Sequence, residues 1–465
     1  TPGHMDFLAE VYRSLAILNG AILPTLLRFS FPVLLALILQ ALYGAVDLWA
    51  VGKFAATADI SAVATGSQTM QIITGLVTGL ATGATVLLGI YIGRKKPDDA
   101  AKVVGSSIFV FTILGVILTI AIVLAAPWLA RITNAPSEAF AKTVAYIRIC
   151  GAGSLFIVAY NLISAIFRGL GDSKSPLYFV IIACVINIMG DIILTKYIPT
   201  GAAGTAIATV TAQAVSVILS IILIRRKALP FDFSKAHLQP QFQISGSILK
   251  LGTPIAMQSM CNEISYLVIL GFVNALGEVA SAGVGIAEKI AMFILLIPTA
   301  YMQSISAFVA QNEGAGLTER AKKSLLLGMM LSTFLGSIFA YFSIFHGTRL
   351  STLFIKADET AVLLAAADFL KATSIECFIL SAAYCLVGYF NGTKHTNFVM
   401  LQSMLSIFVV KLPYAWFASS HATPSIFQIG MAGAFAAAFE LLACLWYYNR
   451  LKKDDEAPTL QCITP

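Results

Sequence analysis

The sequence predicts an all-α integral membrane protein of twelve transmembrane helices, in two pseudo-two-fold-related six-helix bundles around a central cavity. Three observations carry that expectation. Hydrophobic residues make up 58% of the 465 and charged residues 11%, with a mean hydropathy of +0.85; a soluble domain carries about 25% charged residues. The apolar residues gather into runs long enough to cross a bilayer. The second half of the chain also repeats landmarks of the first.

Twelve spans are expected at 29–52, 60–92, 101–126, 139–167, 175–195, 201–224, 246–275, 279–310, 322–345, 360–390, 396–418 and 425–449. Residues 1–28 are read as a tag scar (Thr1-Pro2-Gly3-His4 before Met5) and a cytoplasmic N-terminal segment. The domains then follow: 29–224 is the N-terminal bundle, 225–245 a cytoplasmic linker with Arg225-Arg226-Lys227, 246–449 the C-terminal bundle and 450–465 a cytoplasmic tail.

The first span contains Phe31 to Lys53, with two residues foreign to a membrane helix. Pro32 lacks an N–H, which is harmless in a first turn and a hinge deeper in. Asp47 lies well inside the run, where a carboxylate costs about 2.5–3.5 kcal/mol on insertion scales. Gln40, Tyr43 and Asp47 recur at helical spacing and share a face, which must look at protein or water rather than lipid.

The repeat shows in pairs. Pro32 and Pro254 stand near the start of the first helix of each half, and Ser61-Ala62 is matched by Ser281-Ala282. Ala101-Lys102 is matched by Ala321-Lys322, Phe167-Arg168-Gly169 by Phe390-Asn391-Gly392, and Gly201-Ala202-Ala203-Gly204 by Gly430-Met431-Ala432-Gly433. Repeating an even number of helices preserves orientation, which gives an axis along the membrane normal. With both termini cytoplasmic, 20 of the 30 Lys and Arg residues fall on inner segments, including Arg94-Lys95-Lys96, Lys322-Lys323 and Lys452-Lys453; this is the positive-inside pattern.

The stretches Gln40–Phe54, Phe167–Pro176, Asn187-x-x-x-Asp191 and Gly201–Thr209, in this order, resemble the multidrug and toxic compound extrusion (MATE) transporters of prokaryotic type over nearly the whole chain. The resemblance implies a cation-coupled antiporter that exports organic cations and amphipathic compounds. It also implies a coupling site at Asp47, Asn187, Asp191 and Thr209.

The residues support that site independently. Asn187 and Asp191, four apart, stack on one helix face, and two carboxylates sharing a dry site call for a proton or a cation between them. Oxygen-only ligands suit H⁺ or Na⁺ and offer nothing to a soft metal. Gln40, Tyr43, Gln258, Asn262 and Glu263 are candidates for a substrate cavity, with Asn161, Glu376 and Lys411 as further polar positions. Some branches of the family place coupling carboxylates on helices 7 and 10, where Glu263 stands one residue out of register and Glu376 stands near a helix end. Lys411 falls where the second half should repeat the Asn187–Asp191 site.

No cofactor is expected beyond H⁺ or Na⁺ as coupling ion, and no nucleic-acid partner; a monomer in the plasma (inner) membrane is expected. The seven cysteines lie mostly inside apolar runs without paired spacing, unlike a disulfide framework or zinc site. His237, His346, His395 and His421 are scattered without HxxxH spacing, which weighs against a membrane enzyme. A flippase of lipid-linked precursors, from the same superfamily, is the nearer alternative.

Overall fold

A computed structural model describes residues 17–226, 229–231, 233–239, 241–352, 359–421 and 424–456. The N-terminal scar, part of the linker, the end of the tail and Cys462 lie outside the described residues. The described chain is helical, without a strand.

Helical residues at 17–19 lead into α1 (Ile22–Phe54), α2 (Thr57–Gly93) and α3 (Pro97–Ile132). Next come α4 (Phe140–Ala152), α5 (Ser154–Gly169), α6 (Lys174–Ile192) and α7 (Ala202–Arg226). The second half contains α8 (Phe242–Asn274), α9 (Glu278–Gly314), α10 (Thr318–Ser351), α11 (Thr360–Gly392), α12 (Thr396–Leu405), α13 (Leu412–Ser419) and α14 (Ile426–Glu456). Among the described residues, ten helical stretches are long and apolar enough to cross a membrane, and the bent pair α4–α5 makes an eleventh. The segment expected at 360–390 is the single 33-residue helix α11.

Three sequence expectations change. The first span begins at Ile22, so Pro32 lies inside α1 rather than in its first turn; its missing N–H leaves the Arg28 carbonyl without its helical donor. The expected span 139–167 is two helices that bend by 52° at Gly153, where a Cβ would strike the Val210 side chain. The spans at 175–195 and 396–418 each contain a wider π-helical stretch, Ile193–Tyr197 after α6 and Ser406–Lys411 between α12 and α13.

The chain divides into two compact units. One comprises 1–263, 303–328 and 388–397; the other comprises 264–302, 329–387 and 398–465. In the first, α2 and the start of α8 touch backbone to backbone. Gly75, Gly79 and Gly83 recur every fourth residue on one face of α2. A Cβ on Gly79 would stand 2.5 Å from the Ala256 Cα, and one on Gly83 would stand 2.6 Å from the Gly252 nitrogen. Small residues at this spacing let membrane helices approach until dispersion contacts replace the weak hydrophobic force available in lipid.

Four helix ends show the internal repeat more plainly than the residues do. After α2 the N–H of Lys96 bonds the Tyr91 carbonyl at 3.1 Å, and after α9 that of Leu317 bonds Asn312 at 2.8 Å. After α5 the N–H of Asp172 bonds Phe167 at 2.8 Å, and after α11 that of His395 bonds Phe390 at 2.7 Å. Each turn is a Schellman cap with one residue at positive φ: Lys95 (55°), Gly316 (74°), Gly171 (84°) and Lys394 (67°). Glycine adopts this conformation freely, whereas a lysine is strained by its Cβ. Lys95 is exposed, so Lys95→Gly is expected to stabilise the folded chain by about 1 kcal/mol, read as a higher thermal unfolding midpoint in detergent. An unchanged or lower midpoint would count against strain at this turn.

Candidate functional site

The site is built on α1, α6 and α7, which pack against one another in the first unit. The turn before α6 sets that helix in place. The Asp172 carboxylate accepts the N–H groups of Lys174 (3.0 Å) and Ser175 (3.1 Å) and the Ser175 hydroxyl (2.6 Å), satisfying donors that a helix start leaves over. Gln311 donates to the Gly169 carbonyl at 2.8 Å and holds the turn from the other side.

From this anchor α6 carries Asn187 and Asp191 inward, both with no exposed surface, to meet Asp47 of α1, which is 4% exposed. Asn187 Nδ2 donates to Thr209 Oγ1 of α7, and Thr209 Oγ1 donates to Asp47 Oδ2, each at 3.4 Å. One hydroxyl thus relays donation from the amide to the carboxylate. The Asp47 and Asp191 carboxyl groups lie within hydrogen-bonding reach of each other. The four residues that the sequence proposed for coupling therefore stand together.

Asp47 Oδ1, Asn187 Oδ1 and both Asp191 carboxylate oxygens are buried without a donor. Two ionised carboxylates repel each other at this range, and an unpaired buried charge is far costlier than a paired one. A proton on one carboxyl, shared with the other as a hydrogen bond, or a small cation among the four oxygens, relieves the repulsion and gives the remaining negative charge a partner. The donor set is all oxygen, so it fits H⁺ or Na⁺. Immediately after Asp191 the helix widens into its π stretch, and Thr195 returns its hydroxyl to the Asp191 carbonyl at 2.5 Å. Such stretches gather at functional positions because they re-aim the backbone.

The other sequence candidates are distributed differently. Tyr43 joins the site, within hydrogen-bonding reach of Thr209 and Gln213. Gln40 donates to the Tyr160 hydroxyl of α5 at 3.3 Å instead. Asn161 accepts from Thr78 at 3.1 Å and donates to the Ile157 carbonyl at 2.8 Å, which ties α5 to α2. Gln258 is buried, and Asn262 and Glu263 are half-buried, on α8, which is none of the three helices that build the Asp47–Asp191 site. Glu376 and Lys411 belong to the second unit.

Three participants escaped the sequence reading. Gln213 lies one turn beyond Thr209 on α7, a spacing that could have revealed it. Tyr146 and Cys150 on α4 lie within hydrogen-bonding reach of each other, and both sense the Asp47 charge. They resemble core residues by composition.

The MatE family model matches residues 32–193 and 254–417. The probable multidrug resistance protein YoeA of Bacillus subtilis is 24% identical over 439 residues, covering 93% of this chain and 94% of that protein. The multidrug export protein MepA of Staphylococcus saprophyticus is 21% identical over 392 residues, covering 84% and 86%. Among solved structures, the outward-facing conformation of a multidrug resistance MATE family transporter of the MOP superfamily superposes with a TM-score of 0.88 at 19% identity, over 95% of this chain and 98% of that one. A MATE protein crystallised with MaL6 gives a TM-score of 0.87 at 19% identity, over 96% and 99%.

Proposed function

Because the chain belongs to the MatE family of transporters, we propose that it is a secondary active multidrug efflux antiporter, exporting organic cations or amphipathic compounds in exchange for H⁺ or Na⁺ by alternating access. The observation that carries the reading is the group of four donor-less oxygens of Asp47, Asn187 and Asp191 buried in the first unit. Multidrug resistance and multidrug export in the names of the relatives supply the substrate class.

In this mechanism the ionised Asp47–Asp191 pair attracts a cationic or amphipathic compound. Uptake of a proton or Na⁺ from outside lowers that negative charge by one and weakens the hold. Pro32, with no N–H for the Arg28 carbonyl, is where α1 gives way as the compound leaves. Ion and compound compete for the same carboxylates, and the linkage between them is reciprocal. An inward-negative potential adds about 2.3 kcal/mol per charge per 100 mV. Gln40, Tyr43, Gln258, Asn262 and Glu263 are assigned to substrate contact.

The distribution of lysine and arginine supports cytoplasmic termini in a plasma (inner) membrane, and a monomer suffices for a coupling site built within one unit. A flippase of pyrophosphate-linked lipids would need a basic site, whereas the buried charge here is acidic.

The test is efflux of a fluorescent organic cation from proteoliposomes under an imposed Na⁺ or H⁺ gradient, one at a time. Efflux that accelerates with one gradient and saturates with substrate is the expected result. Efflux indifferent to both gradients would overturn the reading.

A further inference from the structure

The second unit contains a charge cluster, buried at Glu440 and half-buried at Glu376 and Lys411, that the Asp47–Asp191 site does not explain. Glu440 sits midway along α14 and is 5% exposed. Glu376 of α11 presses its carboxylate against Gly433 of α14, where any Cβ would strike it. Gly433 and Glu440 are seven residues apart, two turns on one face of the helix or about 10 Å. Between them the Ser406 hydroxyl, on the π stretch that ends at Lys411, donates to the Ala436 carbonyl at 2.9 Å. The Lys411 ammonium acts electrostatically on both carboxylates, and among the described ion pairs none joins it to either.

The hydrogen bonds around Glu440 have a direction. Gln402 Nε2 donates to Ser403 Oγ at 2.8 Å. Ser403 lies within hydrogen-bonding reach of Glu440, and its hydroxyl, which has a single proton to donate, is the group placed to give it to that carboxylate. Glu440 Oε2 is buried with no partner. The charged groups that act on Glu440 are Lys411 and Glu376; Cys444 follows one turn later on the same helix, and Tyr414 of α13 is turned against Phe435.

With all three groups ionised the cluster carries one uncompensated negative charge, which a spanning segment tolerates poorly. A metal cation would meet the repulsion of the Lys411 ammonium. A proton meets no such barrier once it forms a neutral carboxyl. We propose that Glu440 is a protonation site of the second unit, separate from the Asp47–Asp191 pair, with Lys411 as the built-in counter-ion that keeps Glu376 ionised.

Infrared spectroscopy of the full chain in bilayers at neutral pH, in H₂O and D₂O, reads protonated carboxyl groups directly. The background is Asp47→Asn/Asp191→Asn, so that failure of the coupling-site reading leaves this test standing. One deuterium-sensitive carboxyl band is expected to vanish in Glu440→Gln and to survive in Glu440→Asp, which serves as the folding control. Lys411→Met is expected to add a second band, because Glu376 then lacks its counter-ion, and Glu376→Gln on top of it should remove that band again. A Glu440→Gln spectrum that loses no band would overturn the proposal, as would a Lys411→Met spectrum unchanged from the parent.

Discussion

Asp191→Asn is expected to lower ion-driven efflux by about 5–150-fold, the range of a single coupling free energy, without lowering the thermal unfolding midpoint. Both halves of that statement follow from the site. The side chain is fully buried and its two oxygens have no donor, so an amide of the same shape brings a donor towards Asp47 and removes a charge that lipid-embedded helices carry at a cost. Coupling suffers because exchange of a proton or cation against substrate depends on carboxylates that can gain and lose charge. Glu263→Gln, on α8, is the informative comparison and is expected to keep its ion dependence. If Glu263→Gln destroyed coupling while Asp191→Asn spared it, the driving site would lie outside the first-unit cluster.

A second large effect is expected from Gly79→Leu. An ideal Cβ there would lie 2.5 Å from the Ala256 Cα and 2.6 Å from its nitrogen. These are backbone atoms, so no side-chain rotamer can relieve the clash. Overpacking of this kind costs about 1–3 kcal/mol, roughly a 5–150-fold shift against the conformation in which α2 and α8 touch. Faster hydrogen exchange over 246–259 and a lower unfolding midpoint are the expected readings, with slower turnover in the efflux assay. A Cβ added to Gly44 on α1 would meet no atom within 4 Å, and Gly44→Ala should leave all three unchanged or improved. Equal behaviour of the two variants would mean that the α2–α8 contact bears no conformational weight.

How much of this could be read from the chain depended on what each feature leaves in composition. The carboxylates were visible because an acid in an apolar run is conspicuous, and the spacing of Asn187 and Asp191 fixed their shared face. Tyr146 and Cys150 were invisible because each counts as apolar until its partner is known. The glycines at 75, 79 and 83 carried a spacing signal, but only the structure shows which backbone they meet. The π stretches after Asp191 and up to Lys411 had no signature at all, since a hydrogen bond shifted by one residue changes no amino acid. The break at Gly153 was hidden inside a continuous apolar run. Arg28, set among Leu26, Leu27 and Phe29, concealed the true start of α1 by lowering local hydropathy. Glu376, Lys411 and Glu440 were each conspicuous singly, and their grouping required the tertiary fold.

The two lysines at positive φ also bear on how the chain is made. Gly171 and Gly316 satisfy the same backbone geometry without strain, so Lys95 and Lys394 lower the stability of the finished fold at turns where glycine was an available solution. Nothing in the folded state requires an ammonium at the exposed Lys95. During biosynthesis, however, a cation beside an emerging span helps to decide which way that span enters the bilayer. At both turns the residue that folds with least strain, glycine, differs from the residue whose charge would favour insertion, lysine.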